Sequence, residues 1–109
     1  MLTESEIQKF HTEGYLIFES LIHGERLAHY KSLFDEIVEC GGELTEEVSH
    51  WTLEYDEDKN PIPGRVHKVQ GVCVVEPRVL DLASEPAILD RVEALLGPNL
   101  DIFGTKFFP

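Results

Sequence analysis

Apolar residues recur at helical spacing in two long segments of the chain. In residues 25–38 they form one stripe, which ends at Gly41-Gly42 (Leu27, Tyr30, Leu33, Phe34, Ile37 and Val38). A second stripe follows Glu85-Pro86 and ends at Gly97-Pro98 (Ile88, Leu89, Val92, Leu95 and Leu96). Because residues three and four apart share one face of a helix, the pattern predicts an amphipathic helix in each segment.

Two shorter helices are predicted from their end signals. Thr3-Glu4-Ser5-Glu6 is a capping box, in which the Thr hydroxyl accepts from a backbone amide and the Glu reaches back to the start of the helix. Gly14 is well placed to end that helix in a left-handed conformation. Pro77 suits the first position of a helix that continues to Leu82.

Three further apolar runs are interpreted as strands. The run Tyr15-Leu16-Ile17-Phe18 is typical of a buried strand. Residues 65–75 are typical of a strand that bends or bulges at Gly71. Residues 100–108 form the third. The acidic segment 43–60 lacks a clean period, and we expect a long loop there. The elements together predict one α+β domain over residues 1–109.

The last predicted strand ends at Phe107-Phe108-Pro109 without a hairpin partner. An apolar strand with unpaired backbone groups favours pairing with another chain, so we expect this segment to be exposed and to self-associate. The same pattern leads us to expect that the chain is part of a larger fold.

Charge and cysteine usage exclude several classes of partner. Acidic residues outnumber basic residues by 21 to 9, for a net charge of -12. This charge repels nucleic acid and anionic membranes, so we expect neither as a partner. Cys40 and Cys73 are far apart and form no Cys-x-x-Cys motif, which favours a reducing compartment. The N-terminus has no basic start and no apolar run, so we expect no secretory signal and a cytoplasmic location.

Several phrases of the chain follow one another in the order typical of a known enzyme family. They are Leu2-Thr3-Glu4, Gly14-Tyr15-Leu16-Ile17, Val66-His67-Lys68-Val69-Gln70, Pro86-Ala87-Ile88-Leu89-Asp90, Leu95-Leu96-Gly97-Pro98 and Gly104-Thr105-Lys106-Phe107-Phe108-Pro109. No single phrase is diagnostic, but their order and spacing together are specific. Over nearly its whole length the chain resembles the N-terminal portion of the phytanoyl-CoA dioxygenase family.

The resemblance implies a double-stranded β-helix, or jelly roll, that binds Fe(II) and 2-oxoglutarate and hydroxylates a small, lipid-like or secondary-metabolite substrate. Family members hold the iron with a His-x-Asp pair and a distal His, a ligand set that leaves positions open for the cosubstrate and oxygen. We expect these ligands to lie beyond Pro109. The chain would then be truncated before the metal-binding core, and would be inactive when isolated.

The chain contains two His-x-Glu triplets, His11-Thr12-Glu13 and His23-Gly24-Glu25, whose residue types are common metal ligands. Residues two apart share a face on a strand but diverge on a helix. His11 and Glu13 fall at the end of a predicted helix, and His23 and Glu25 at a turn and a helix start. His29 and His50 are interpreted as surface residues. We therefore assign no metal site and no catalytic residue in this chain.

Two lysines are the candidate cosubstrate-binding residues. If residues 65–75 form a regular strand, Lys68 shares a face with Val66 and Gln70, whereas His67 points to the opposite face. The resemblance implies that Lys68 contacts the carboxylate of 2-oxoglutarate. The alternative is a lysine stem lying along the sheet with its ammonium in water. Lys106 lies in a similar apolar row and is a second candidate for the pocket.

A different class of function is also compatible with the sequence. The chain could act as an acidic, non-catalytic module that binds another protein through the edge of residues 100–108, or as one half of a split oxygenase. A stable monomer or dimer would favour the module, whereas aggregation or partial disorder would favour a fragment.

Overall fold

The computed structural model describes residues 1–109 as five helices and one three-stranded antiparallel sheet. The elements are α1 (Glu4–Glu13), α2 (Gly24–Gly41), β1 (Trp51–Tyr55), β2 (Pro61–Gln70), α3 (Val72–Val75), α4 (Val79–Ala83), α5 (Pro86–Leu96) and β3 (Lys106–Phe107). The strands lie in the order β1-β2-β3. This content is α+β, as the pattern predicts, while the jelly roll stays a prediction. None of the helices combines the length and apolar composition needed to cross a bilayer.

The predicted end signals of the first helix are confirmed. The Glu6 amide donates to Thr3 Oγ1 over 3.1 Å, and the Thr3 amide donates to Glu6 Oε1 over 3.1 Å. This capping box holds the carboxylate in its charged form and lowers the pKa of Glu6. Gly14 has a φ of 85° and donates its amide to Phe10 O, which ends α1 in the left-handed conformation.

The predicted long loop at residues 43–60 is wrong, because it contains β1 and a hairpin turn. Trp51-Thr52-Leu53-Glu54-Tyr55 pairs with β2. Asp56 Oδ1 accepts from the Asp58 and Asn60 amides over 3.0 and 2.9 Å, and Lys59 takes a φ of 64°. Aromatic and β-branched residues followed by this Asp-centred turn outweigh the local acidity.

The three predicted strands also need correction. Tyr15-Leu16-Ile17-Phe18 is not a strand, because no other segment pairs with it, and Ile17 is 78% exposed. The strand predicted at 65–75 ends at Gln70, where Gly71 takes a φ of 67° and α3 begins. The strand predicted at 100–108 is reduced to β3, since β2 offers partners only at Val69 and Gln70.

The core lies between α2 and the sheet. It consists of eight buried apolar residues (Tyr30, Leu33, Ile37, Leu53, Val66, Val69, Val72 and Val79). Val69 and Leu53 have exposures of 0% and 1% and form its centre on the paired strands β2 and β1. The helical stripe predicted for α2 is confirmed for Tyr30, Leu33 and Ile37, whereas Leu27 and Val38 stay largely exposed.

Glycines set the separation between α2 and the sheet. A Cβ at Gly41 would overlap the Val66 Cγ2 methyl and would lie 2.9 Å from a ring carbon of Trp51. A Cβ at Gly64 would lie 2.5 Å from Gly42 O. The Gly64 amide donates to Leu44 O over 2.7 Å, so backbone meets backbone where the helix ends. Only glycine allows this approach.

A buried carboxylate ties α2 to the start of α5. Glu85, which is 7% exposed, accepts from the Tyr30 hydroxyl at 2.5 Å and from the Arg26 guanidinium. A buried charge is costly unless it is paired and hydrogen bonded. The Glu85 carboxylate meets both conditions, because Arg26 supplies the opposite charge and Tyr30 a hydrogen bond. The hydrogen bond to Glu85 and burial of the ring raise the pKa of Tyr30 to about 12.

Helices α1 and α5 lie outside the main core and contribute no buried residue to it. Arg91 of α5 stacks over the ring of Phe18 at 5.2 Å, and a half-buried patch joins the two helices. The molecule extends over 52 × 31 × 24 Å with a radius of gyration of 17.3 Å. A compact domain of this length has a radius of gyration of about 13 Å, so this fold is extended and leaves an unusually large surface exposed.

Replacing Gly41 with alanine tests the close contact between α2 and the sheet. The added methyl collides with Val66 and Trp51, and we expect Gly41→Ala to lower the free energy of unfolding by ~1–3 kcal/mol despite the better helix propensity of alanine. Gly104→Ala is the matched control, because a Cβ there meets nothing within 4 Å. Urea unfolding measures both, and equal stability of the two variants would contradict the proposed constraint.

The high pKa of Tyr30 predicts a loss of stability in alkali. Its pKa is near 10 in the unfolded chain and about 12 in the folded chain, so its contribution is complete below pH 10 and disappears as the pH rises through 12. We expect the difference in unfolding free energy between the wild type and Tyr30→Phe to shrink over this window. Parallel curves for the two proteins, measured by urea unfolding at each pH, would contradict the assignment.

Candidate functional site

A bulge in β2 determines where Lys68 lies. Thr52 pairs with Lys68, but the next residue of β1, Leu53, pairs with Val66, so His67 is an extra residue in β2. A bulge of this kind breaks the alternation of faces. Val66 and Val69 are both buried, and the predicted row of Val66, Lys68 and Gln70 on one face is therefore wrong.

Lys68 lines an open cavity of about 580 Å³ next to the hairpin. The other lining residues come from β1, its preceding turn and the bulge (Glu47, Thr52, Leu53, Glu54, Tyr55 and His67). The side chain of Lys68 is half-buried, and its ammonium has no carboxylate within 4.0 Å. The structure thus presents an unpaired cation in a partly polar cavity.

The two carboxylates of this cavity interact with groups other than Lys68. Glu54 pairs with Arg65 at 2.8 Å. Glu47 accepts from the Leu53 amide over 3.2 Å, and hydrogen bonding to Glu47 raises the pKa of the Tyr55 hydroxyl. Glu54 is thus neutralised by Arg65, whereas Glu47 has only neutral hydrogen-bond donors as partners and keeps its negative charge in the cavity.

Lys106 lies in a different place from Lys68. It is exposed in β3 opposite Gln70, beside a separate open cavity that Phe103 and Gly104 also line. The two lysines share no cavity, so the structure does not bring the predicted pair of binding residues together. His67, which alternation placed on the opposite face, does line the cavity of Lys68 because of the bulge.

The histidines do not form a metal centre with their neighbours. His11 and Glu13 both lie in α1, and His23 immediately precedes α2. His29 and His50 are exposed as predicted, and His50 Nδ1 is 2.8 Å from Gln70 O. No group of three or more His, Cys, Asp or Glu side chains is arranged to hold a metal ion. The residues of this chain therefore do not fit the iron that the resemblance implies.

A second, apolar feature was not predicted from the sequence. An open groove of about 670 Å³ lies between the exposed side of α2 and the C-terminal segment. Eight of its eleven lining residues are hydrophobic, among them Leu27, Phe34, Val38, Phe107 and Phe108. The rings of Phe34 and Phe107 are 4.6 Å apart and form its floor. In the sequence, the groove is indicated only by apolar residues of α2 that the core does not use. The groove itself forms because β3 lies beside them.

No protein-family model, curated protein or solved structure matches the chain.

Proposed function

We propose that this chain is the N-terminal portion of an Fe(II)/2-oxoglutarate-dependent dioxygenase that hydroxylates a small, lipid-like or secondary-metabolite substrate. In this proposal Lys68 contacts the carboxylate of 2-oxoglutarate. The observation that carries it is that Lys68, a half-buried residue, lines a cavity in which its ammonium has no carboxylate within 4.0 Å. The order of the sequence phrases supports the family assignment.

The proposed contact to 2-oxoglutarate rests on the ammonium of Lys68. The ammonium offers charge-assisted contacts, whereas the hydroxyls of Thr52 and Tyr55, which line the same cavity, already have hydrogen-bond partners within the chain. Thr52 Oγ1 also donates to Lys68 O over 3.3 Å, which holds the strand backbone beneath the side chain. With one cation and no metal, the affinity should be low, with a dissociation constant on the order of 1 mM.

The iron of such an enzyme would be held by residues outside this chain. Its own His, Asp and Glu side chains form no three-ligand group. The exposed apolar residues of the C-terminal segment, with Phe103 at 107% exposure, and the large radius of gyration support a larger fold that covers them. The bound metal and cosubstrate would supply the oxidising chemistry, and this chain would orient the cosubstrate.

A titration with 2-oxoglutarate tests the role of Lys68. We expect millimolar 2-oxoglutarate to shift the backbone amide resonances of Thr52, His67 and Lys68 in the 15N-labelled chain, because the anion adds charge beside them. Lys68→Met should weaken this binding by about tenfold, since it removes the cation and keeps the stem. Lys59→Met, in the hairpin turn, is the matched control with the same change in net charge.

The titration has two results that would overturn the role of Lys68. One is unchanged binding in Lys68→Met, and the other is equal weakening in Lys59→Met, which would indicate a general charge effect. Succinate, which lacks the 2-oxo group, should bind nearly as well to this chain, because the lysine contacts only a carboxylate.

An activity assay tests the assignment of the iron ligands to residues outside the chain. With Fe(II), ascorbate and 2-oxoglutarate, we expect no decarboxylation above the rate of the metal alone, because the chain offers no three-ligand group. Turnover that is lost on adding a chelator, and regained with iron, would contradict the assignment.

A non-catalytic protein-binding module is the second candidate function. The observation that favours it is the open apolar groove beside the edge strand β3. Exposed apolar surface of this kind typically marks an interaction site.

A further inference from the structure

The lining of the groove on α2 has the spacing of a helix-pairing stripe. Leu27, Lys31, Phe34 and Val38 are separated by four, three and four residues, and all four line the groove. This is the spacing of the seam between paired helices, with one charged position. Phe34 packs against Phe107, but Leu27 and Val38 are 38% and 39% exposed, so the two ends of the stripe are left partly uncovered.

The two walls of the groove differ in charge. The acidic segment 43–60 surrounds β1, and β1 is the sheet edge farthest from β3. Residues 102–109, beside the groove, contain one lysine and no acid. The C-terminal wall of the groove therefore adds no negative charge, while α2, the other wall, carries four acidic and two basic residues.

Two opposite charges at the groove have no ion-pair partner inside the chain. Lys31 and Asp35 lie one turn apart on α2 and both line the groove. Neither has an oppositely charged group within 4.0 Å. A surface that carries one cation and one anion, both unpaired, is complementary to itself when it is rotated by 180°.

We propose that the groove binds a second copy of this chain, in a two-fold dimer in which α2 packs antiparallel against α2 of the other copy. Lys31 of each copy then faces Asp35 of the other, and the groove covers the apolar side chains of the opposite stripe. The proposal specifies the partner for the second candidate function, and it does not depend on the binding of 2-oxoglutarate.

The dimer should be weak and dependent on concentration. The interface consists of one helix stripe and one short edge strand, which places its area at the low end of specific interfaces. The net charge of each copy opposes association. We expect a dissociation constant on the order of 10–100 μM, which sedimentation equilibrium of the 109-residue chain measures directly.

Charge reversal tests the two-fold contact. Lys31→Asp and Asp35→Lys should each weaken the dimer by about tenfold, because each variant replaces two attractive pairs with two repulsive ones. The double variant Lys31→Asp/Asp35→Lys should return to within about threefold of the wild type, since the pairs are restored with exchanged polarity. Lys9→Asp, on α1, matches the charge change of Lys31→Asp and should have no effect.

Mixing the two single variants separates the dimer contact from effects on folding. In an equimolar mixture, Lys31→Asp and Asp35→Lys chains should form a heterodimer with wild-type affinity, because each supplies the charge that the other requires. A monomeric wild type up to about 1 mM would overturn the proposal, as would a double variant or a mixture as weak as the single variants. Circular dichroism checks that each variant keeps its helices.

Discussion

The fold depends on the close contact between the C-terminal turn of α2 and β2. Gly41 and Gly64 allow the helix to reach the sheet at a point where any Cβ would meet Val66 or the Gly42 carbonyl. This contact brings Leu33 and Ile37 onto Val69 and Leu53, which form the centre of the core. The segment that follows Gly71 then packs on both partners, because β3 pairs with β2 while α2 contacts α4 and Phe34 contacts Phe107.

The bulge in β2 follows from the same packing. Val66 and Val69 both face α2, and a regular strand cannot place residues three apart on one side. The extra residue, His67, resolves the conflict and turns His67 and Lys68 toward the cavity beside β1. The position of the candidate cation is thus a consequence of how the core is filled. Because Val66 and Val69 both belong to the core, the side chains of His67 and Lys68 between them lie toward the cavity.

Local signals of the sequence predicted α1, α2 and α5 well, but α3 was predicted as strand, the helix predicted to begin at Pro77 begins at Val79, and the strands were predicted poorly. The capping box at Thr3, the left-handed Gly14 and the ends of α5 are properties of a few adjacent residues, and the structure confirms them. A strand instead depends on a pairing partner elsewhere in the chain, which periodicity does not reveal. The pattern therefore predicted a strand at residues 15–18 that does not form, and missed β1 at residues 51–55. Arg26, Tyr30 and Glu85 were also missed as a network, because 55 residues separate Tyr30 from Glu85.

The two edges of the sheet separate the surface into regions of different chemistry. At the β1 edge, Lys68 lines a cavity with Glu47 and Glu54, and neither carboxylate is within 4.0 Å of its ammonium. At the β3 edge, the groove is lined mostly by hydrophobic residues, with one lysine and one aspartate. An oxygenase would use both regions, since β3 would continue into a larger sheet while Lys68 holds the cosubstrate. A freestanding module would use only the β3 edge. Binding of 2-oxoglutarate at Lys68 would therefore separate the two functions, because only the oxygenase requires a cation for this cosubstrate.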